Sequence, residues 1–225
     1  MANIKYAGKI DGTSLPRIQK FRLTVNADIP EGTPVAINKD KCVTTVFDSN
    51  TSGMYGVTAR DYKATPDEFN PENGKNYVAV NVSPDSVYEL PLTKTVKAAS
   101  SASDGTVALT GTEFNNVAEC FSGISLLLIK HGANPSANAI KVGDELLVSS
   151  YEVNTGVLEL YFNTTPVITA GDEFLIIPQP GFDNLTVKSG NVTIGTATTD
   201  KSYFTVVDSD KDKKVTYIKP KNYLA

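Results

Sequence analysis

The residues with catalytic or metal-binding chemistry in this chain are few: one histidine, two cysteines and several clustered carboxylates. His131 would have to serve any Ser-His-Asp or Cys-His site. It stands beside Gly132 in a loop-like setting, and no Gly-x-Ser-x-Gly elbow occurs. Cys42 and Cys120 lie singly on apolar stretches and read as small buried thiols. With His131 they lack the spacing of zinc ligands. Asp208-x-Asp210-x-Asp212 opens like a calcium loop. Lys213 and Lys219 stand where such a loop needs Gly and Glu, so a charged hairpin turn is expected instead. The pairs Asp144/Glu145 and Asp172/Glu173 read as turn acids at strand starts rather than an acid/base couple. No P-loop and no Gly-x-Gly-x-x-Gly is present. A non-enzymatic protein with no cofactor and no metal is expected.

The acid pairs belong to a repeated device. Ile29 to Ile37, Ile140 to Val148 and Ile168 to Ile176 all fit Ile-x-x-Gly-x-x-apolar-x-apolar. Glycine supplies the positive φ of a tight turn, and the alternating apolar pair then faces one side of a sheet. Gly32, Gly143 and Gly171 are therefore placed at turns that open strands, with Val35, Leu146 and Phe174 facing a core. The device builds strands and performs no chemistry.

Other segments follow the same alphabet. Phe21-x-Leu23-x-Val25 alternates, as do residues 42–47, 77–82 and 86–90. Gly56 in Tyr55-Gly56-Val57 marks a bulge or a close backbone approach. Leu146 to Val153 and Val157 to Phe162 flank Asn154-Thr155-Gly156 as a hairpin. A second hairpin runs from Tyr203 to Ile218. Val117, Cys120, Phe121 and Ile124 have helical spacing, the one such stretch. Small polar residues 97–105 read as a domain linker or a long loop. The expected fold is all-β, with small β-barrel or sandwich domains and an extended N-terminal arm. The divisions are 1–20 for the arm, 21–105 for one β domain and 106–225 for a second.

The net charge of −4 conceals an asymmetry. Residues 1–26 carry Lys5, Lys9, Arg17, Lys20 and Arg22 against Asp11, and residues 211–225 carry five lysines against Asp212. A basic arm on an acidic body suits docking on an acidic partner. Ile4, Lys5, Tyr6, Lys9, Arg17, Lys20 and Arg22 are the candidate partner-binding residues. Residues 1–20 are poor in apolar side chains, so their deletion is expected to leave a folded body. Basic and aromatic residues interleave only at Lys20-Phe21-Arg22, which argues against nucleic acid as partner. No apolar run approaches the roughly 18 residues of a membrane span. Met1-Ala2-Asn3-Ile4-Lys5 lacks a signal peptide's apolar core, so synthesis in a cytoplasm is expected.

From Phe21 to Val82 the order of parts resembles the head decoration proteins of tailed bacteriophages. The matching parts are a mobile arm, the strand start from Ile29 to Ile37, a polar loop, Tyr55-Gly56-Val57-Thr58-Ala59, and Tyr77 to Val82. The resemblance covers about the first 90 residues. The rest would be an added β domain, as in larger auxiliary capsid proteins. It implies a virion structural protein on the capsid surface, often a homotrimer, that binds the major capsid protein and cements the shell. An arm of this kind would add to the sheets of the capsid protein. The alternatives are another virion part, such as a tail-tube, adaptor or fibre protein, or a carbohydrate- or surface-binding β module.

Overall fold

A computed structural model describes residues 3–10, 15–23, 26–47, 51–64, 76–110, 123–152, 155–162, 164–195 and 201–221. The protein is all-β, with no helix among the described residues. Of the residues with helical spacing, Val117, Cys120 and Phe121 lie outside them, and Ile124 opens a strand instead.

The seventeen strands, numbered in chain order, form three antiparallel sheets. The first runs β1 (Lys5–Lys9), β7 (Ser86–Pro91), β17 (Val215–Pro220), β16 (Phe204–Asp210), β14 (Leu185–Lys188), β15 (Asn191–Ile194). The second runs β8 (Thr95–Lys97), β13 (Glu173–Pro178), β10 (Ile124–Lys130), β11 (Glu145–Glu152), β12 (Val157–Tyr161), β9 (Thr106–Ala108). The third runs β2 (Ile18–Arg22), β6 (Tyr77–Asn81), β5 (Thr51–Thr58), β3 (Pro34–Asn38), β4 (Val43–Thr44).

The hydrogen bonding crosses the expected division at 105/106. β7 pairs with β17, and β8 pairs with β13. Residues 97–105, read as a linker or loop, help to close the second sheet. Ala98 bridges Leu109, Ala99 N–H donates to Ala108, and Thr110 N–H donates to Lys97. Small side chains suit this seam, because two strand ends meet there over a filled interior. Ile124, Leu126, Leu128, Leu158, Phe174 and Ile176 are buried within that interior. They belong to one apolar cluster with Ile4, Tyr88, Phe204 and Ile218 of the first sheet. A separate cluster of Leu23, Ile29, Val35, Val43, Val78 and Val80 fills the third sheet.

The three strand-opening turns form as the pattern requires. Gly32, Gly143 and Gly171 have φ of 78°, 98° and 84°. Val35, Leu146 and Phe174 beyond them are buried. Gly56 is a point of close approach: a Cβ there would lie 2.5 Å from the Asn81 carbonyl oxygen. The hairpins appear at β11–β12 and β16–β17.

The N-terminal arm is corrected in part. Residues 5–9 are extended, but as strand β1 on β7 rather than as a poorly packed arm. Ile4 is buried among the first sheet's core residues, and Tyr6 meets Tyr88 edge to face at 5.9 Å. The Asn3 side chain donates to Val192 O (2.5 Å) and accepts from Val192 N–H (2.8 Å). It thus closes the first sheet from β1 to β15. One large apolar residue and one amide tie down a segment whose composition alone reads as unpacked.

Candidate interaction surface

The acid and histidine candidates are held in turns. Asp172 is fully buried, and its carboxylate accepts from Thr169 N–H (2.8 Å) and Gly132 N–H (2.8 Å). His131 Nδ1 lies 3.3 Å from the same carboxylate. The cluster locks two turns together at a point where Gly132 leaves no room: a Cβ would lie 1.9 Å from Ala170 O. Asp144 closes its own turn by accepting from Lys141 N–H (2.8 Å). Glu145 meets Gln179 and Lys211, and Glu173 meets Lys97. Asp210 accepts from the Asp212 and Lys213 N–H groups and pairs with the Lys213 ammonium at 3.0 Å. The backbone hydrogen bond from Lys213, then its side chain, hold the Asp210 carboxyl below the usual range. Cys42 is buried. No group of three metal-ligating side chains gathers among the described residues.

The seven N-terminal candidates divide into two sets. Ile4, Tyr6 and Lys9 are committed to the body, Lys9 through an ion pair with Asp85 at 2.8 Å. Lys5 is exposed and stands opposite Glu89 on β7. Arg17, Lys20 and Arg22 are exposed together at or on β2, a border strand of the third sheet.

The phase of the β2 ladder follows from its two ends. Val82 N–H donates to Arg17 O, and Leu23 N–H donates to Asn76 O. Residues 17, 19, 21 and 23 therefore spend their backbone groups on the β6 side. Ile18, Lys20 and Arg22 turn theirs to the open side. No strand among the described residues pairs that side at Ile18 and Lys20; at its far end the sheet's other border meets it in the parallel Leu23–Val43 bridge, which takes up the Arg22 carbonyl because the Leu23 backbone is turned to β6. The side chains of Ile18, Lys20 and Arg22 also share the outward face, while Gln19 and Phe21 turn inward, Phe21 against Tyr55 at 4.9 Å. The Arg22 guanidinium passes 3.9 Å from the Cys42 sulfur. Lys20 makes no ion pair among the described residues. Leu15, 90% exposed, precedes the strand.

Reading residue types missed this apolar component, because residues 1–20 weigh as a basic segment poor in apolar side chains and that reading singles out neither Leu15 nor Ile18. It also missed the exposed Leu147, Tyr161 and Phe162 on the β11–β12 hairpin. There Leu147 pairs directly with Tyr161, a placement that depends on register. No family model, curated protein or solved structure matches this chain.

Proposed function

We propose that this chain is a non-enzymatic virion structural protein that binds and stabilises an assembled phage capsid. The observation that carries the reading is the open side of β2. Among the described residues it leaves the backbone groups of Ile18 and Lys20 without a strand partner, with the basic side chains of Lys20 and Arg22 on the same face and exposed Leu15 nearby. An acidic strand from the capsid protein would complete the ladder, and repetition over a symmetric shell would multiply weak contacts. Lys20 and Arg22 also oppose self-pairing, since two β2 strands side by side would bring like charges together. In the capsid setting the partner is the major capsid protein, with the chain itself acting as a symmetric oligomer, a trimer in the resembled family.

The test is co-sedimentation with undecorated shells. The variant Arg17→Glu/Lys20→Glu/Arg22→Glu is expected to lose most of its binding. The wild type is expected to bind more weakly as salt shortens the field to about 8–10 Å. Full retention of the triple variant overturns the reading.

A second reading has one observation of its own. Tyr161, 64% exposed beside Leu147 and Phe162, offers an aromatic platform suited to a carbohydrate- or surface-binding module. Binding to isolated glycans with no binding to shells would favour it.

A further inference from the structure

The β14–β15 hairpin turns in two residues, Ser189 and Gly190, both at positive φ (51° and 76°). In such a hairpin the pair flanking the turn exchanges hydrogen bonds, and bonded and unbonded pairs then alternate. Lys188–Asn191 and Thr186–Thr193 are the bonded pairs by this count, and Gly195 N–H donates to Asn184 O in the same phase. Val192 and Ile194 therefore turn their N–H and C=O groups away from β14. The Asn3 side chain answers Val192, accepting from its N–H and donating to its C=O. Ile194 is buried, and no described residue answers its backbone in that way. A buried peptide group in this position calls for a partner.

A cavity of about 250 Å³ lies along β15, bounded by Asn191 to Ile194 on one side and by Leu90 to Lys94, which lead from β7 to β8, on the other. Leu90, Leu185 and Ile176 give it apolar walls, and Ile176 brings in the second sheet. Lys94 is the one charged residue of the lining. An ammonium carries three donors, so an engagement elsewhere leaves others for the cavity. An apolar cavity of about 150 Å³ holds the six heavy atoms of benzene; this one holds about ten, the size of a Val or Leu residue with the carbonyl before it.

We propose that this cavity captures the C-terminal aliphatic residue of a partner polypeptide. The terminal N–H donates to Ile194 C=O, and one carboxylate oxygen accepts from Ile194 N–H, as a strand residue opposite Ile194 would. The other carboxylate oxygen lies toward Lys94. Residues directly opposite share a face, so the branched side chain points with that of Ile194 against Leu185 and Leu90. The site lies on the first sheet and does not depend on the reading of β2.

The probe is the labelled peptide Ser-Thr-Ala-Thr-Val with a free C-terminus, followed by fluorescence anisotropy with the full chain. It is expected to saturate. Amidating its C-terminus is expected to weaken binding at least about tenfold, the worth of a charge-assisted hydrogen bond. Replacing its Val by Ser is expected to weaken binding about tenfold or more through lost apolar burial. Adding Gly-Gly after the Val is expected to abolish binding. In the protein, Lys94→Met is expected to weaken the free-acid peptide about tenfold and to leave the amidated peptide within about twofold, a difference that a general loss of folding would not produce; a thermal melt checks the fold. Failure of the parent peptide to saturate at millimolar concentration overturns the proposal. So does equal binding of the acid and amide peptides, of the Val and Ser peptides, or of the free-acid peptide to wild type and Lys94→Met. N-acetyl-L-valine binding as tightly as the peptide would make the guest a free acylated amino acid and overturn the polypeptide partner.

Discussion

β1 and β2 begin from similar material and end in opposite roles. Each has five residues, carries two basic side chains and borders a sheet. β1 is bound into the body by Ile4, by Tyr6 on Tyr88 and by the Lys9–Asp85 ion pair. Its preceding Asn3 uses both amide groups to join β15. Among the described residues β2 is paired along its length by β6 alone, and its other side is met only at its end, through the Leu23–Val43 bridge. A basic, alternating strand takes its place from its neighbours: Lys9 of β1 finds Asp85, whereas Lys20 of β2 makes no ion pair among the described residues.

The largest effect that would test this contrast is at Ile4. Ile4→Ala should cost about 2–5 kcal/mol in a urea melt, as expected for truncation of a buried aliphatic side chain. An unchanged melt would mean that β1 is a peripheral arm after all. Removing residues 2–9 should destabilise at least as much, so deletion of the whole N-terminal segment is a poor test of docking.

Breaking the Lys9–Asp85 pair comes next. Lys9→Ala should cost on the order of 1 kcal/mol, the upper range for a pair of this exposure. Its binding to shells should stay within twofold of wild type. A binding loss as large as that of the β2 variants would erase the distinction between the two strands.

On β2 the expectation reverses. Lys20→Glu/Arg22→Glu should move stability by no more than about 0.5 kcal/mol, as at most exposed sites, while shell binding falls clearly at low salt. A stability loss above about 2 kcal/mol would show that these cations serve the third sheet itself.

The smallest effect concerns pH on the β1 side. Asp210 sits in the β16–β17 turn, and β17 supports β7, which carries β1. Its carboxyl is held below its ordinary value of 3.8 by Lys213. A depressed carboxyl stabilises the fold above its unfolded pKa, and this contribution is lost as pH falls through the lower folded value. Melts between about pH 5 and pH 2 should therefore show an acid loss that Asp210→Asn reduces. An identical pH profile in that variant would remove Asp210 from the account.

Much of the fold is legible in the residues themselves because the causes are local. Positive φ at Gly32, Gly143 and Gly171 and the apolar alternation after each are properties of nine-residue windows. The β11–β12 and β16–β17 hairpins follow from turn chemistry between alternating runs. Equally local is the failure of Asp208 to Asp212 as a calcium loop, since the required residues are absent within twelve positions.

What the sequence left undecided depends on partners far away in the chain. Ile4 is one apolar residue in a polar segment, and its burial follows from strands that come more than 80 positions later, β7 and β17. Asn3 and Val192 are 189 residues apart, and no window contains both. Residues 97–105 resemble a linker by composition, yet Ala98 and Ala99 close a sheet because β9 returns beside β8. The candidate surface divides in the same way. That Arg17, Lys20 and Arg22 are basic and closely spaced is plain from residue types alone. The long-range pairing is what gives β6 the backbone of residues 17, 19, 21 and 23, leaves Ile18 and Lys20 without a strand partner among the described residues, and sets Ile18 at a cavity shared with Tyr6 and Tyr88. Residue type and spacing act locally, whereas an open ladder and a cavity exist only once distant strands have chosen their neighbours.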